Sequence, residues 1–252
     1  DLKNAIDAGG AVTLGDDITV TTTLSVTKDL EVNLNNHTLT GAGSVILVQG
    51  AKLVVNGPGT IKEKNPDYGA IAVKGSNKAE DMNYTTVEVN KDVVLEAWAP
   101  IFVTPYQSSG APYAYGVTIT VNGATLNAKK DSAAAGGTGV YVNGQIAHTE
   151  NAPVINLTDT TICDIDNASE GMYLAGYAKT TLTDCDISGV TGIEIRAGEL
   201  TVNGGSITGT ATPIGEVPNG NGSTVTGAGI AVSQHTTMLP LTVTVTPSTG
   251  LD

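Results

Sequence analysis

The sequence predicts an all-β fold: a right-handed, single-stranded parallel β-helix of about seven or eight turns with a short N-terminal capping helix. Two interleaved repeats carry that prediction. In the first, an apolar pair spaced by two precedes a polar residue, usually Asn, and an Ile or Leu follows four or five positions later. The pairs are Val32/Leu34, Leu53/Val55, Val87/Val89, Ile119/Val121, Ile155/Leu157, Thr180/Leu182 and Leu200/Val202. The late apolar residues are Leu39, Ile61, Leu95, Leu126, Ile162, Ile187 and Ile207. The second repeat reads roughly G-I-x-V-x-G, as in "AIAVKG", "GVYVNG" and "GIEIRAG". Copies recur every 20 to 36 residues, a period that marks a solenoid or array.

Taken in order, residues 1–10 place Leu2, Ala5 and Ile6 on one helical face, and Gly9–Gly10 stops the helix. A solenoid must cover its first apolar layer, so this segment reads as a cap. Residues 11–29 read as an irregular first turn and 30–252 as regular turns of one domain, because the repeat runs through without a linker. Within each turn the apolar pair, the late apolar residue and the G-I-x-V phrase are three short strands of period two, β-branched and closed by Gly or Asn. The polar positions Asn35, Asn56, Asn90, Asn122, Thr158, Thr183 and Asn203 read as corners, where Asn tolerates left-handed backbone and pairs with the Asn above it. A β-sandwich is the competing architecture, but it has no reason to keep one consensus in register. Gly-, Ser-, Asn- and Pro-rich insertions at 62–68, 76–84, 105–115, 128–138, 145–152 and 211–226 read as surface loops. The last stretch, "LPLTVTVTPSTGLD", starts a turn and stops before its third strand, which reads as a module cut from a longer protein.

Composition narrows the function. Net charge is -13 and Arg196 is the sole arginine, so no basic face exists for a nucleic acid. No apolar run is long enough for a membrane helix. Abundant Thr, Asn and Gly with scarce Lys and Arg point to an extracellular or cell-surface location. Aligning Thr158 with Thr183 sets Cys163 over Ser188 and Cys185 over Thr160, about 10 Å out of step along the strands. That offset exceeds disulfide reach, and two free thiols are expected.

Strict alternation sends Ile101/Val103, Val140/Val142, Met172/Leu174 and Ile193/Ile195 inward, so the residues between them point out. Phe102, Tyr141 and Tyr173 then form successive aromatic rungs, with Glu194 and Arg196 at their edge and Tyr106, Tyr113 and Tyr115 in the neighbouring insertion. Aromatic faces flanked by polar groups suit a carbohydrate, whose C–H surfaces stack while its hydroxyls hydrogen-bond. The bland alternative is that the 105–115 loop folds over the sheet and the tyrosines pack beneath it. Asp164, Asp166, Asp184 and Asp186 decorate neighbouring turns. They are the candidate calcium ligands, calcium being the one cofactor considered, although solvated turn carboxylates are the default reading.

The layered "LTVNGGSITG" and "GIAV" phrases resemble right-handed parallel β-helix proteins of the pectin-lyase-like superfamily. The opening "LEVNLNNHTLTG" resembles uncharacterised bacterial cell-surface β-helix proteins. The resemblance covers nearly the whole chain and implies a fold shared by polysaccharide-cleaving enzymes, adhesins and phage tailspikes. The Asn-Thr-Asp, Gly-His-Gly and Arg-Ile-Lys phrases of polygalacturonase-like members are missing, and the one Asp-Asp, Asp16–Asp17, falls in the first turn. No catalytic residue is therefore assigned. The expected function is a non-catalytic, stalk- or adhesin-like surface module that binds a glycan or a host or bacterial surface protein. The alternatives are a polysaccharide lyase or glycoside hydrolase of this fold, and a purely structural or self-assembling segment.

Overall fold

A computed structural model describes residues 2–65, 68–107, 109–133, 136–166, 169–219 and 222–246. The remaining residues, the final stretch 247–252 among them, lie outside the described residues. Three parallel sheets run the length of the molecule, of nine, eight and eight strands. Each turn of chain contributes one strand to each sheet in the same order, which makes a parallel β-helix. A right-handed path is the one such parallel crossovers take.

The first sheet is built from the apolar pairs. Its rows run Leu53, Val87, Ile119, Ile155, Thr180, Leu200 and Val55, Val89, Val121, Leu157, Leu182, Val202 in direct register. The second sheet stacks Ile18, Leu39, Ile61, Leu95, Leu126, Ile162, Ile187 and Ile207 in a single row. The third sheet stacks the G-I-x-V phrases, from Leu24/Val26 to Ile230/Val232. Inward residues of all three meet in one apolar core. Interior side chains such as Ile119, Ile155, Ile193 and Ile195 are fully buried. The opening glycine of the G-I-x-V phrase has a steric cause. A Cβ on Gly139 would lie 2.2 Å from Ile162 Cγ2, one on Gly171 2.7 Å from Ile187 Cγ2, and one on Gly192 2.6 Å from Ile207 Cγ2. At this corner the second and third sheets approach too closely for any side chain.

Several expectations are corrected. In the first full copy the register pairs Leu30 with Leu53, Val32 with Val55 and Asn33 with Asn56, so its apolar pair is Leu30/Val32 and its ladder residue is Asn33, not Asn35. The ladder exists: Asn56 Nδ2 donates to Asn33 Oδ1 at 2.8 Å, and Asn90 Nδ2 to Asn56 Oδ1 at 2.7 Å. Left-handed backbone is found at Asn35, as expected of that corner, and in later turns one or two residues past the polar position, at Asp92, Asp159 and Asp184. The first turn is regular, with Gly10–Thr13 and Ile18–Thr19 in register with the turn above. The 211–226 insertion forms an antiparallel hairpin, Ile214–Asn219 with Gly222–Thr226. The helix Leu2–Ala8 caps the first layer through buried Ile6, and Gly9, at φ +78°, ends it with its amide on the Ala5 carbonyl. At the far end Val232, expected inward, is 55% exposed, because no further rung covers it among the described residues.

Candidate aromatic binding site

The outer face of the third sheet carries the expected column. Phe102, Tyr141, Tyr173, Glu194 and Ala231 occupy one register row. Ring centroids lie 5.1 Å apart for Phe102–Tyr141 and 5.4 Å apart for Tyr141–Tyr173, and all three residues are half-buried. Sheet geometry explains the spacing, since neighbouring strands lie about 4.8 Å apart and side chains in one row must touch.

Trp98 completes the group, and the sequence reading missed it. It lies 5.4 Å from Tyr141 and 6.3 Å, edge-on, from Phe102, and its indole Nε1 donates to the Gly136 carbonyl at 2.9 Å. That bond sets the indole beside Tyr141. Its one available signal was position: it stands at the corner just before the strand Ala99–Thr104 that carries Phe102.

Trp98, Tyr141 and Tyr173 line a cavity of about 220 Å³ together with Thr138, Ser169, Glu170 and Glu194. Ser169 is set by Asp164, whose Oδ2 accepts the Ser169 amide at 2.5 Å, and the Ser169 hydroxyl donates to Glu170 Oε2. Burial raises the phenol pKa of both Tyr141 and Tyr173. At Tyr141 the neighbouring Tyr173 and Glu170 add to this, whereas at Tyr173 the Arg196 hydrogen bond and charge partly oppose it. Both hydroxyls therefore stay protonated near neutral pH and can donate to a ligand.

Glu194 and Arg196 were expected exposed at the edge of the column. They are 1% and 0% exposed. Both do point to the outer face, but the chain after Ile230–Val232 folds back over them. Ser233 Oγ donates to Glu194 Oε1 at 3.0 Å, the His235 amide donates to the Arg196 carbonyl at 3.1 Å, and the His235 ring packs on Gly144. Beneath this strap Arg196 pairs with Glu194 at 3.5 Å, and its Nη1 donates to the Tyr173 hydroxyl at 2.9 Å. A buried guanidinium needs such partners to offset desolvation. The pair is thus wall and support rather than a contact edge. Strap residues His235 and Thr237 also border a second cavity of about 370 Å³ beside Tyr141 and Asn143.

Tyr106, Tyr113 and Tyr115 do not join the column. Their loop turns back on itself, the Tyr106 amide donating to the Tyr113 carbonyl at 2.7 Å. Tyr113 and Tyr115 stack at 5.2 Å, and His148, 4.1 Å from Tyr115, completes a separate group. No ring contact links the two groups among the described residues. The tyrosines of the 105–115 loop thus pack with His148 rather than with the rings of the column.

The four aspartates do not converge. Asp164 is buried and caps its own loop, Asp166 accepts the Lys130 amide at 2.6 Å, Asp186 accepts the Ser206 hydroxyl at 2.7 Å, and Asp184 is an exposed corner residue. Among the described residues no three His, Cys, Asp or Glu side chains gather in a way that could hold a metal ion. Cys163 and Cys185 are both free thiols, and Cys163 pairs with Ser188 in register as the spacing predicts. No helix is long and apolar enough to cross a membrane.

The fold and this face define the class: a parallel β-helix with an aromatic groove on one sheet. Comparison with protein-family models, with curated proteins and with solved structures finds no match.

Proposed function

We propose that this chain is a non-catalytic, extracellular β-helix module of a larger bacterial surface protein, stalk- or adhesin-like, which binds carbohydrate on the outer face of its third sheet. Kinship with the pectin-lyase-like superfamily belongs to the same reading and rests on the repeat phrases and on the three-sheet parallel architecture.

One observation carries the reading. Trp98, Tyr141 and Tyr173 meet around one cavity whose remaining lining is Gly136, the hydroxyls of Thr138 and Ser169, and the carboxylates of Glu170 and Glu194. Its volume of about 220 Å³ lies just below the range of about 300–1,000 Å³ usual for drug-sized ligands, which suits a small ligand unit such as one sugar ring. Aromatic planes backed by donors and acceptors are what a sugar needs.

The non-catalytic part rests on the carboxylates. Hydrolysis of a glycosidic bond ordinarily uses two carboxyl groups facing the same bond. Here Glu170 reaches the cavity, while Glu194 is buried and committed to Arg196 and Ser233. A glycan array with the whole chain tests the proposal. Saturable binding with no new reducing ends or unsaturated products is the expected result. Turnover moves the assignment to an enzyme of the same fold, and failure to bind any glycan leaves the structural stalk.

A further inference from the structure

From the charge balance of the cavity we infer that the preferred sugar carries a free ammonium group: a hexosamine with an unacetylated amine, rather than a neutral sugar or a uronate. This rests on the glycan-binding reading of the same site.

The sole arginine of the chain, Arg196, lies under the strap and is spent on Glu194 and on the Tyr173 hydroxyl. It neutralises Glu194 in the wall and offers no guanidinium fork to a ligand carboxylate, the group that would recognise a uronate bidentately. Glu170 is different. It is half-buried, lines the cavity and takes the Ser169 hydroxyl, but makes no ion pair among the described residues. The Asp164 carboxylate stands directly behind Ser169 and adds to the negative potential. No lysine borders the cavity among the described residues. The rings of Trp98, Tyr141 and Tyr173 present electron-rich faces that attract a cation within about 6 Å. A ligand ammonium placed between Glu170 and these faces meets both attractions. A carboxylate placed there meets repulsion with no compensating donor.

The test is calorimetry on the full chain with three tetrasaccharides, of glucosamine, of N-acetylglucosamine and of galacturonic acid, at about pH 6, where an amine of ordinary pKa is protonated. The glucosamine oligomer should bind at least about tenfold tighter than its N-acetyl counterpart, and galacturonate should show no saturable binding. Glu170→Gln should shrink the ratio between the first two at least several-fold, with the melting midpoint of the variant checked alongside. Equal affinity for the two hexosamines, tightest binding of galacturonate, or a ratio that Glu170→Gln leaves unchanged overturns the charge inference while the glycan reading stands. If all three oligomers and every sugar on the array fail to bind, both fall. Tighter binding of a lysine-rich peptide than of any sugar assigns the cation-selective cavity to a protein partner and overturns the hexosamine assignment.

Discussion

Thr180 sits in a core row between Ile155 and Leu200, 2% exposed, and its hydroxyl has no hydrogen-bond partner among the described residues. Every other member of that row from Leu53 onward is Leu, Val or Ile. A buried, unsatisfied hydroxyl costs about 1–3 kcal/mol, and valine keeps the side chain's shape while removing it. Thr180→Val should therefore stabilise the protein by about 1–2 kcal/mol, raising the melting midpoint by roughly 2–8 °C for a chain of this size. Thr180→Ser is the opposite control: it keeps the hydroxyl, removes the methyl and should cost about 1 kcal/mol. Calorimetric melts of the three proteins, with hydrogen exchange at the flanking Ile155 and Leu200 amides, read both effects. A valine variant that melts no higher than the parent shows that the hydroxyl is satisfied and that the register around it is misdrawn.

Further outcomes follow from the same packing. Ile119→Ala and Ile195→Ala, each at a fully buried position, should cost about 2–5 kcal/mol in denaturant melts. His148 accepts the Ala114 amide at Nε2 and faces the Glu150 carbonyl with Nδ1, so the ring is held neutral with its proton on Nδ1. Burial lowers the pKa of His148, and burial followed by the Arg196 charge lowers that of His235. The unfolded chain then takes up these protons first. Their contribution is complete above the ordinary histidine range near 6.5 and is lost as pH falls below it, which melts across that range will read; replacing His148 with Gln should flatten the slope. A Cβ on Gly144 would lie 2.6 Å from His235 Nε2, so Gly144→Ala should loosen the strap, seen as faster hydrogen exchange over 233–240 with the core unchanged. Unfolded without reductant, both cysteines should alkylate; in the native protein Cys185, whose thiol pKa burial raises, should react more slowly than half-buried Cys163.

Most of the fold was legible because it is periodic. Rows such as Leu39–Ile61–Leu95–Leu126 can be aligned by counting, since each layer must place the same residue type over the one below. Misreadings fall where period gives no constraint. Val32/Leu34 and Leu30/Val32 both fit the alternation, and only the pairing of Leu30 with Leu53 decides between them. The aromatic column was legible because alternation alone forces Phe102, Tyr141 and Tyr173 outward. Trp98 was not, because its place depends on a bond to Gly136 across 38 residues of chain. The burial of Glu194 and Arg196 was not legible either: alternation says which face a side chain leaves by, and a loop that returns over that face, as 233–240 does, has no period to betray it.

The central claim is that the groove of Trp98, Tyr141 and Tyr173 is where a sugar binds. Trp98 is the only tryptophan of the chain, so its fluorescence reports on that groove alone. Titration with the tightest oligosaccharide should shift or quench it along the same isotherm that calorimetry gives, and Tyr141→Leu, which keeps bulk beside the indole but removes the aromatic face, should weaken both together. Calorimetric binding that saturates while the Trp98 spectrum stays fixed would place the ligand elsewhere on the β-helix and contradict the account.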